Sequence, residues 1–372
     1  MVEIGSEFWE AADTGKKKYL ISGRAALEYI VRDILAEQRI DSVLMPSYCC
    51  HTMIEPFARH GIRIRFYDVF YDKDKGLCVE LPEERSTIRN HNNEIFYYMT
   101  YFGFRRLPGV DPEMVRRKYG LIIEDQTHSW LSADFERTAL NADYTYISFR
   151  KWTGVYGIAE ARKRVAGFIP ETGRLGKEYT DRRKDAMALK RKYINQQKSI
   201  ETGNGIQPDY DIERAKKCKK AFLEQYGEAE AYLENEYVGY TPASECAWQL
   251  LNADWAFVRE RRRKNADALI RGLKEIPEVT LLFGNRKETD TPLFVPVLVE
   301  ESRDGLKDYL VSHQVFCPVH WPLSDYHQGL SERGKRIYGK ELSLVCDQRY
   351  TEKDMEYIVH LIRNYFSDRK KE

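Results

Sequence analysis

Two side chains in this sequence have the types and places that carbonyl–amine chemistry requires. Lys151 closes the apolar run YTYISFRK, and Asp125 closes a second such run, LIIED. A lysine amine at one strand end can hold an aldehyde as a Schiff base, and a carboxylate at another can keep a pyridine nitrogen protonated. Pyridoxal 5'-phosphate (PLP) needs both, because its protonated ring accepts electrons from a substrate carbanion. An Asp or Lys that ends a strand is most often a solvated edge residue, so the pair gains weight only from a third element. The stretch KKKYLISGRAALEYIVRDILAE reads as a short strand, a tight turn through Ser22, Gly23 and Arg24, and an amphipathic helix starting near Ala25. Such a turn aims backbone N–H groups and the positive end of a helix dipole at one point, an anion site suited to a phosphate.

Taken in order, these and other segments resemble the PLP-dependent aspartate aminotransferase superfamily of fold type I, and within it the DegT/DnrJ/EryC1/StrS sugar aminotransferases. SGRAAL resembles that family's SGTAAL phosphate turn, and VLMPSYCCHTMIEPFARHGIRIRFYDV resembles its strand, helix and strand. TYFGF is similar to the stretch that usually reads HLYG, IIEDQTH to the EDxAH motif, and FCPVHWPL to the small-domain HYPPL segment. The resemblance implies Asp125 at the ring nitrogen, with His128 beside it positioning the ring oxygen or the aspartate. It implies Ser148 with the amides of Gly23, Arg24 and Ala25 at the phosphate, Lys151 as the Schiff-base lysine, and His320 as a polar contact to cofactor or substrate. Tyr101 ends a strand-like run and is expected to face the ring. The implied activity is amino transfer by a homodimer, from glutamate or glutamine to a keto-sugar attached to a nucleotide.

The chain also departs from the family pattern. The family spaces its serine and lysine as SFxxxK, whereas Lys151 follows Ser148 by three positions, as in other fold type I transaminases. Where the family places an aromatic over the ring, this chain has Cys50, so the ring contact falls to Tyr48 or Cys50. The loop that reaches the neighbouring subunit's phosphate is present only as GYTPASE, without its asparagine, and Thr241 or Ser244 is the substitute. The usual GEGG stretch after the lysine is reduced to Gly154 and Gly157. A dehydratase of the same family carries histidine at the lysine position, so Lys151 speaks against that activity. The departures keep open a catalytically altered or non-catalytic homologue with a scaffold or regulatory role, or another PLP reaction.

The elements that must position these residues alternate in type. Strands are expected at VLMPS, IRIRFYDV, EIFYYMTYF, LIIED and YTYISF, and helices at AALEYIVRDILAE, TMIEPFARHG and DPEMVRRKYG. This is the pattern of an α/β fold with a mostly parallel sheet flanked by helices. Ligands of such sheets collect outside the carboxyl ends of the strands, where Asp125 and Lys151 both lie. A charged, helix-periodic segment occupies 173–237, read as a solvated helical face and interrupted by the breaker-rich IETGNGIQPDY. SECAWQLLNADWAFVRERRRKNADALIRGLKEI is expected as one long connecting helix. The large PLP-binding domain is expected over 1–255 and a small α+β C-terminal domain over 256–372, built from TPLFVPVLV, SRDGLKDYLVSHQ and KDMEYIVHLIRNYF.

Bulk properties narrow the partners. With a net charge of +1 over 372 residues, there is no field for nucleic acid or a membrane surface. Seven cysteines, an odd number without a CxxC pair, point to free thiols in a reducing compartment and to no metal site. No apolar run is long enough to span a bilayer, and MVEIGSEFWEAAD is too polar for a signal peptide, so a cytoplasmic location is expected.

Overall fold

The computed structural model describes residues 15–82, 91–104, 109–132, 141–201 and 212–369. Strand β1 (Lys17–Leu20) leads into helix α1 (Gly23–Glu37), followed by β2 (Ser42–Pro46), α2 (His51–Arg59), β3 (Arg63–Asp72) and β4 (Gly76–Glu80). Then come β5 (His91–Met99), α3 (Pro112–Lys118), β6 (Tyr119–Asp125), β7 (Tyr144–Ser148) and β8 (Ala159–Lys163). These strands form one eight-stranded sheet in the order β1-β8-β7-β6-β5-β2-β3-β4. Its centre is parallel, from β7 through β6, β5 and β2 to β3, and its margins are antiparallel. Every residue of β2 and β7 is buried, as expected of parallel strands covered on both faces.

Two strands of this sheet escaped the sequence reading, β4 and β8. The sequence of β8, AEARK, is charged and reads poorly as a strand, yet it lies between β1 and β7. Its charges are matched by neighbours: Glu160 pairs with Lys17 at 2.9 Å, and Lys163 pairs with the fully buried Asp33 at 2.8 Å. Tertiary pairing overrules local propensity there.

The charged segment continues from β9 (Arg174–Leu175) into two helices, α4 (Lys177–Glu201) and α5 (Ile212–Asn235), and β10 (Tyr240–Thr241) returns to pair with β9. The long helix expected next is in fact two, α6 (Ser244–Leu251) and α7 (Trp255–Leu273). Asp254 makes the break, because its side chain accepts from the Phe257 N–H at 2.9 Å and caps α7, a geometry incompatible with a continuous helix. The remaining chain supplies β11 (Val279–Leu281), β12 (Phe294–Val299), α8 (Arg303–Ser312), α9 (Glu332–Lys340), β13 (Glu341–Val345) and α10 (Glu352–Arg369). Strands β11, β12 and β13 form a separate antiparallel sheet.

Tyr338 of α9 ties this part to the large sheet. Its hydroxyl donates to the Ser47 carbonyl at 2.8 Å and accepts from the Cys49 N–H at 3.0 Å, fixing the turn from β2 into α2. All seven cysteines are free thiols, and among the described residues no helix is long and apolar enough to cross a membrane.

Candidate active site

Neighbouring parallel strands bring the two key residues together. Asp125 ends β6 opposite Tyr146 of β7, and β7 itself ends at Ser148. The chain then makes a 3-10 turn over Phe149–Lys151, so Lys151 lies one turn beyond the strand rather than at its end. Asp125, His128, Ser148 and Lys151 line one pocket, and Gly23, Arg24 and Cys50 line it too. The space enclosed, its open mouth included, is about 660 Å³.

The turn from β1 into α1 is built as its sequence suggests. Ser22 caps α1, its hydroxyl accepting from the Ala25 N–H at 3.1 Å. That bond occupies the Ala25 amide in the cap. Gly23 approaches Ser148 so closely that a Cβ there would stand 3.0 Å from Ser148 Cβ, a distance at which one of the two must shift by a few tenths of an ångström. Arg24 adds a guanidinium to the pocket, paired with Glu55 at 3.2 Å and facing the Tyr237 ring at 5.3 Å.

Asp125 is buried and takes three hydrogen bonds. The Thr127 N–H donates to Oδ1 at 2.8 Å, while the Tyr146 and Tyr97 hydroxyls donate to Oδ2 at 2.7 and 3.1 Å. Burial pushes its carboxyl above the usual range, and the donors limit the rise. Among the described residues it makes no ion pair, so the pocket holds a carboxylate ready for a cation.

Lys151 is surrounded by protein, yet its side chain keeps an exposed surface that opens on the pocket. Burial lowers its pKa, and the neighbouring Arg150 charge lowers it further, against opposing pulls from Cys50, Glu230 and Asp125. His128 accepts the Phe102 N–H at Nδ1 over 3.2 Å, so its own proton sits on Nε2. Burial, with the nearby His320 and Lys151, holds its pKa well below the ordinary value. Burial of Cys50 favours the thiol, but hydrogen bonds involving His51 and Thr52 leave its pKa lowered on balance.

Other residues expected at the site lie elsewhere. Tyr48 and Tyr101 are fully buried, stack on one another at 5.4 Å and do not line the pocket. Of the two residues expected to meet the ring, Cys50 faces the pocket and Tyr48 does not. His320 packs against His128 and Trp321 without lining the pocket. Thr241 donates to the Arg174 carbonyl at 3.1 Å, Ser244 begins α6, and neither borders the pocket of its own chain.

Several lining residues had not been singled out, notably Thr127, Tyr146, Arg150 and Trp321. Tyr146 stands two before Ser148 on β7, so strand alternation already put both on one face. Arg150 is held from the charged helices: its guanidinium donates to the Tyr179 hydroxyl of α4 at 3.0 Å and to Glu230 of α5 at 2.6 Å. Arg183 of α4 also donates to Glu230, at 2.9 Å. Part of the segment read as a solvated face therefore braces the residue next to Lys151.

The residues fit PLP. A helix N-terminus beside Gly23, Ser148 and Arg24 suits its phosphate, the unpaired Asp125 suits a protonated ring nitrogen, and Lys151 supplies the amine.

The fold is that of PLP-dependent fold type I enzymes, and solved structures similar to it include sugar aminotransferases. The aminotransferase TlmJ from Streptoalloteichus hindustanus is similar with a TM-score of 0.62 at 13% identity, covering 96% of this chain and 87% of that one. DesI, solved in the presence of its TDP-sugar product, is similar with a TM-score of 0.60 at 15% identity, covering 96% and 83%. A DegT DnrJ EryC1 StrS aminotransferase from Brucella abortus gives 0.52 at 16% identity, covering 94% and 85%. Structures of the same fold have been solved in PLP and PMP forms. No protein-family model and no curated protein sequence matches the chain.

Proposed function

We propose that this protein is a PLP-dependent aminotransferase that moves an amino group from an amino acid, glutamate or glutamine, to a keto-sugar carried on a nucleotide. The observation that carries this reading is a single pocket holding a lysine of lowered pKa, an unpaired buried carboxylate and a helix N-terminus. The likeness to structures of sugar aminotransferases, one of them solved with a TDP-sugar, supports the acceptor class. When bound, PLP supplies an aldehyde and an electron-accepting ring. Lys151 Nζ would hold that aldehyde and, when free, would take up and release a proton at Nζ, work that a lowered amine pKa suits. Asp125 keeps the ring nitrogen protonated. Ser148, Gly23 and Arg24 hold the phosphate, and His128 presents an Nε2 proton to an acceptor in the pocket.

The purified protein, loaded with PLP, tests this directly. Glutamate or glutamine should bleach the visible absorbance of the lysine-bound cofactor, and one member of a panel of nucleotide keto-sugars should restore it. A protein that takes up no cofactor would instead be a non-catalytic homologue.

Our reading includes a cytoplasmic homodimer with a PLP-binding domain over 1–255 and a small domain over 256–372. Separate sheets on either side of that boundary support the division. Trp248 and Leu251, 67% and 82% exposed on the helix that Ser244 begins, support a second copy packing there, and with it a role for Thr241 and Ser244 in the neighbour's phosphate site. Light scattering that finds a monomer would remove that role.

A further inference from the structure

A line of polar side chains runs from β13 to the wall of the pocket. Glu341 and Ser343 stand two residues apart on β13, both fully buried, and His320 is 6% exposed. The His320 backbone N–H donates to Glu341 Oε2 at 2.7 Å. Ser343 Oγ is hydrogen-bonded to Glu341 Oε1 and lies 2.8 Å from His320 Nδ1. The Tyr48 hydroxyl donates to the His320 carbonyl and fixes the segment from another side. The His320 ring packs edge-on to that of His128, 6.1 Å between centres, and at 5.2 Å from Trp321; both neighbours line the pocket.

We infer that Glu341, Ser343 and His320 form a proton relay behind the pocket, in which the charge state of Glu341 decides whether His320 Nε2 carries a proton or a lone pair. Two arrangements satisfy the hydrogen bonds that link the three side chains. With Glu341 ionised, Ser343 donates to it and accepts from Nδ1–H, which leaves a lone pair on Nε2. With Glu341 protonated, its hydroxyl donates to Ser343, Ser343 donates to Nδ1, and the imidazole proton sits on Nε2. The second arrangement holds one proton more. A proton added at Nε2 releases the Nδ1 proton to Ser343, and the Ser343 proton passes to Glu341. Only N–H and O–H bonds form and break, and the imidazole ends neutral.

The electrostatics agree with this division of labour. Burial, with the nearby Lys151, drives the His320 pKa down to about 3, so imidazolium is not the resting form near neutrality. Burial pushes Glu341 up to about 8, against the hydrogen bonds from Ser343 and His320 and the pull of Arg303. The other titratable groups facing the relay are Tyr48 and Cys317 near Glu341, and His128 near His320. The relay deepens the aminotransferase reading, on which its catalytic use rests: it gives the pocket a proton store besides Lys151.

Histidine-selective ¹⁵N NMR of the full-length protein, from about pH 6 to about pH 10, reads the tautomer without any turnover. The expected result is that His320 passes from the Nε2–H to the Nδ1–H form with a midpoint near 8, and that Glu341→Gln holds it in one form. Ser343→Ala should uncouple the two groups in the same way and serves if the first variant does not fold. A His320 that keeps one tautomer throughout, or that titrates unchanged in either variant, overturns the relay. If His320 titrates as expected but no donor and acceptor support amino transfer, the functional reading fails and the relay stands. If transfer occurs without the tautomer change, only the relay fails.

Discussion

Two carboxyl groups lie buried in different sheets, Asp125 where β6 ends and Glu341 where β13 begins. Burial raises the pKa of both, and among the described residues neither makes an ion pair. Asp125 lines the pocket and is met by donors alone, two tyrosine hydroxyls and an amide. That environment stabilises an anion and leaves the cation to a ligand. Glu341 is sealed off and linked through Ser343 to an imidazole, a group that can pass a proton on. In the reading proposed above, one acid holds charge against a bound ring and the other takes up a proton. Position relative to the pocket, not residue type, separates the roles.

The contrast can be broken or sharpened by substitution. The largest effect is expected from Lys151→Ala, which should lower turnover by roughly 10⁴-fold, the upper range of proton-transfer contributions, and lose its Schiff base as well. Borohydride reduction and peptide mass analysis of the unmodified protein should place the pyridoxyl group on Lys151, and an adduct on another lysine would move the site. Asp125→Ala should slow the half-reaction with donor by at least ~100-fold, because the ring nitrogen then loses its counter-charge and its proton. A near-normal rate would mean that the ring is bound elsewhere.

Glu341 should be seen most directly in stability. Its folded pKa is raised from 4.5 to about 8, so the folded protein binds the proton more tightly than the unfolded chain. That contribution is fully present below the unfolded pKa and is lost as pH rises through the folded one. Denaturant melts should therefore show a decline on the order of 5 kcal/mol across that window, since one pKa unit is about 1.4 kcal/mol. Glu341→Gln should flatten the decline, and an unchanged slope would mean that Glu341 does not hold the proton. The smallest effect is expected from Tyr97→Phe, which removes one of three donors to Asp125 and should cost about 1 kcal/mol, or several-fold in the half-reaction rate. If it matched Asp125→Ala, Tyr97 would itself be essential to the pocket.

What the sequence by itself determined is the central architecture and the core of the pocket lining. The runs in β2, β5, β6 and β7 are apolar because parallel strands are covered on both faces, so local composition exposes them. Asp125, Ser148 and the Ser22–Gly23–Arg24 turn sit at strand ends or at a helix start, places that short-range pattern marks. Tertiary structure alone decided the rest. Strand β8 exists because Lys17 and Asp33 neutralise its charges from elsewhere in the chain. The helix expected to be continuous breaks because Asp254 finds an amide to cap. Cys50 faces the pocket while Tyr48, two residues earlier, packs behind it, a choice fixed by Tyr101 and by the bond from Tyr48 to His320 across 272 positions. Arg150 is braced by Glu230, 80 positions away, and Glu341 meets His320 only where β13 packs beside the 317–321 segment. Such contacts join residues with no common local period, so nothing in either neighbourhood announces them; they exist only once the chain has closed on itself.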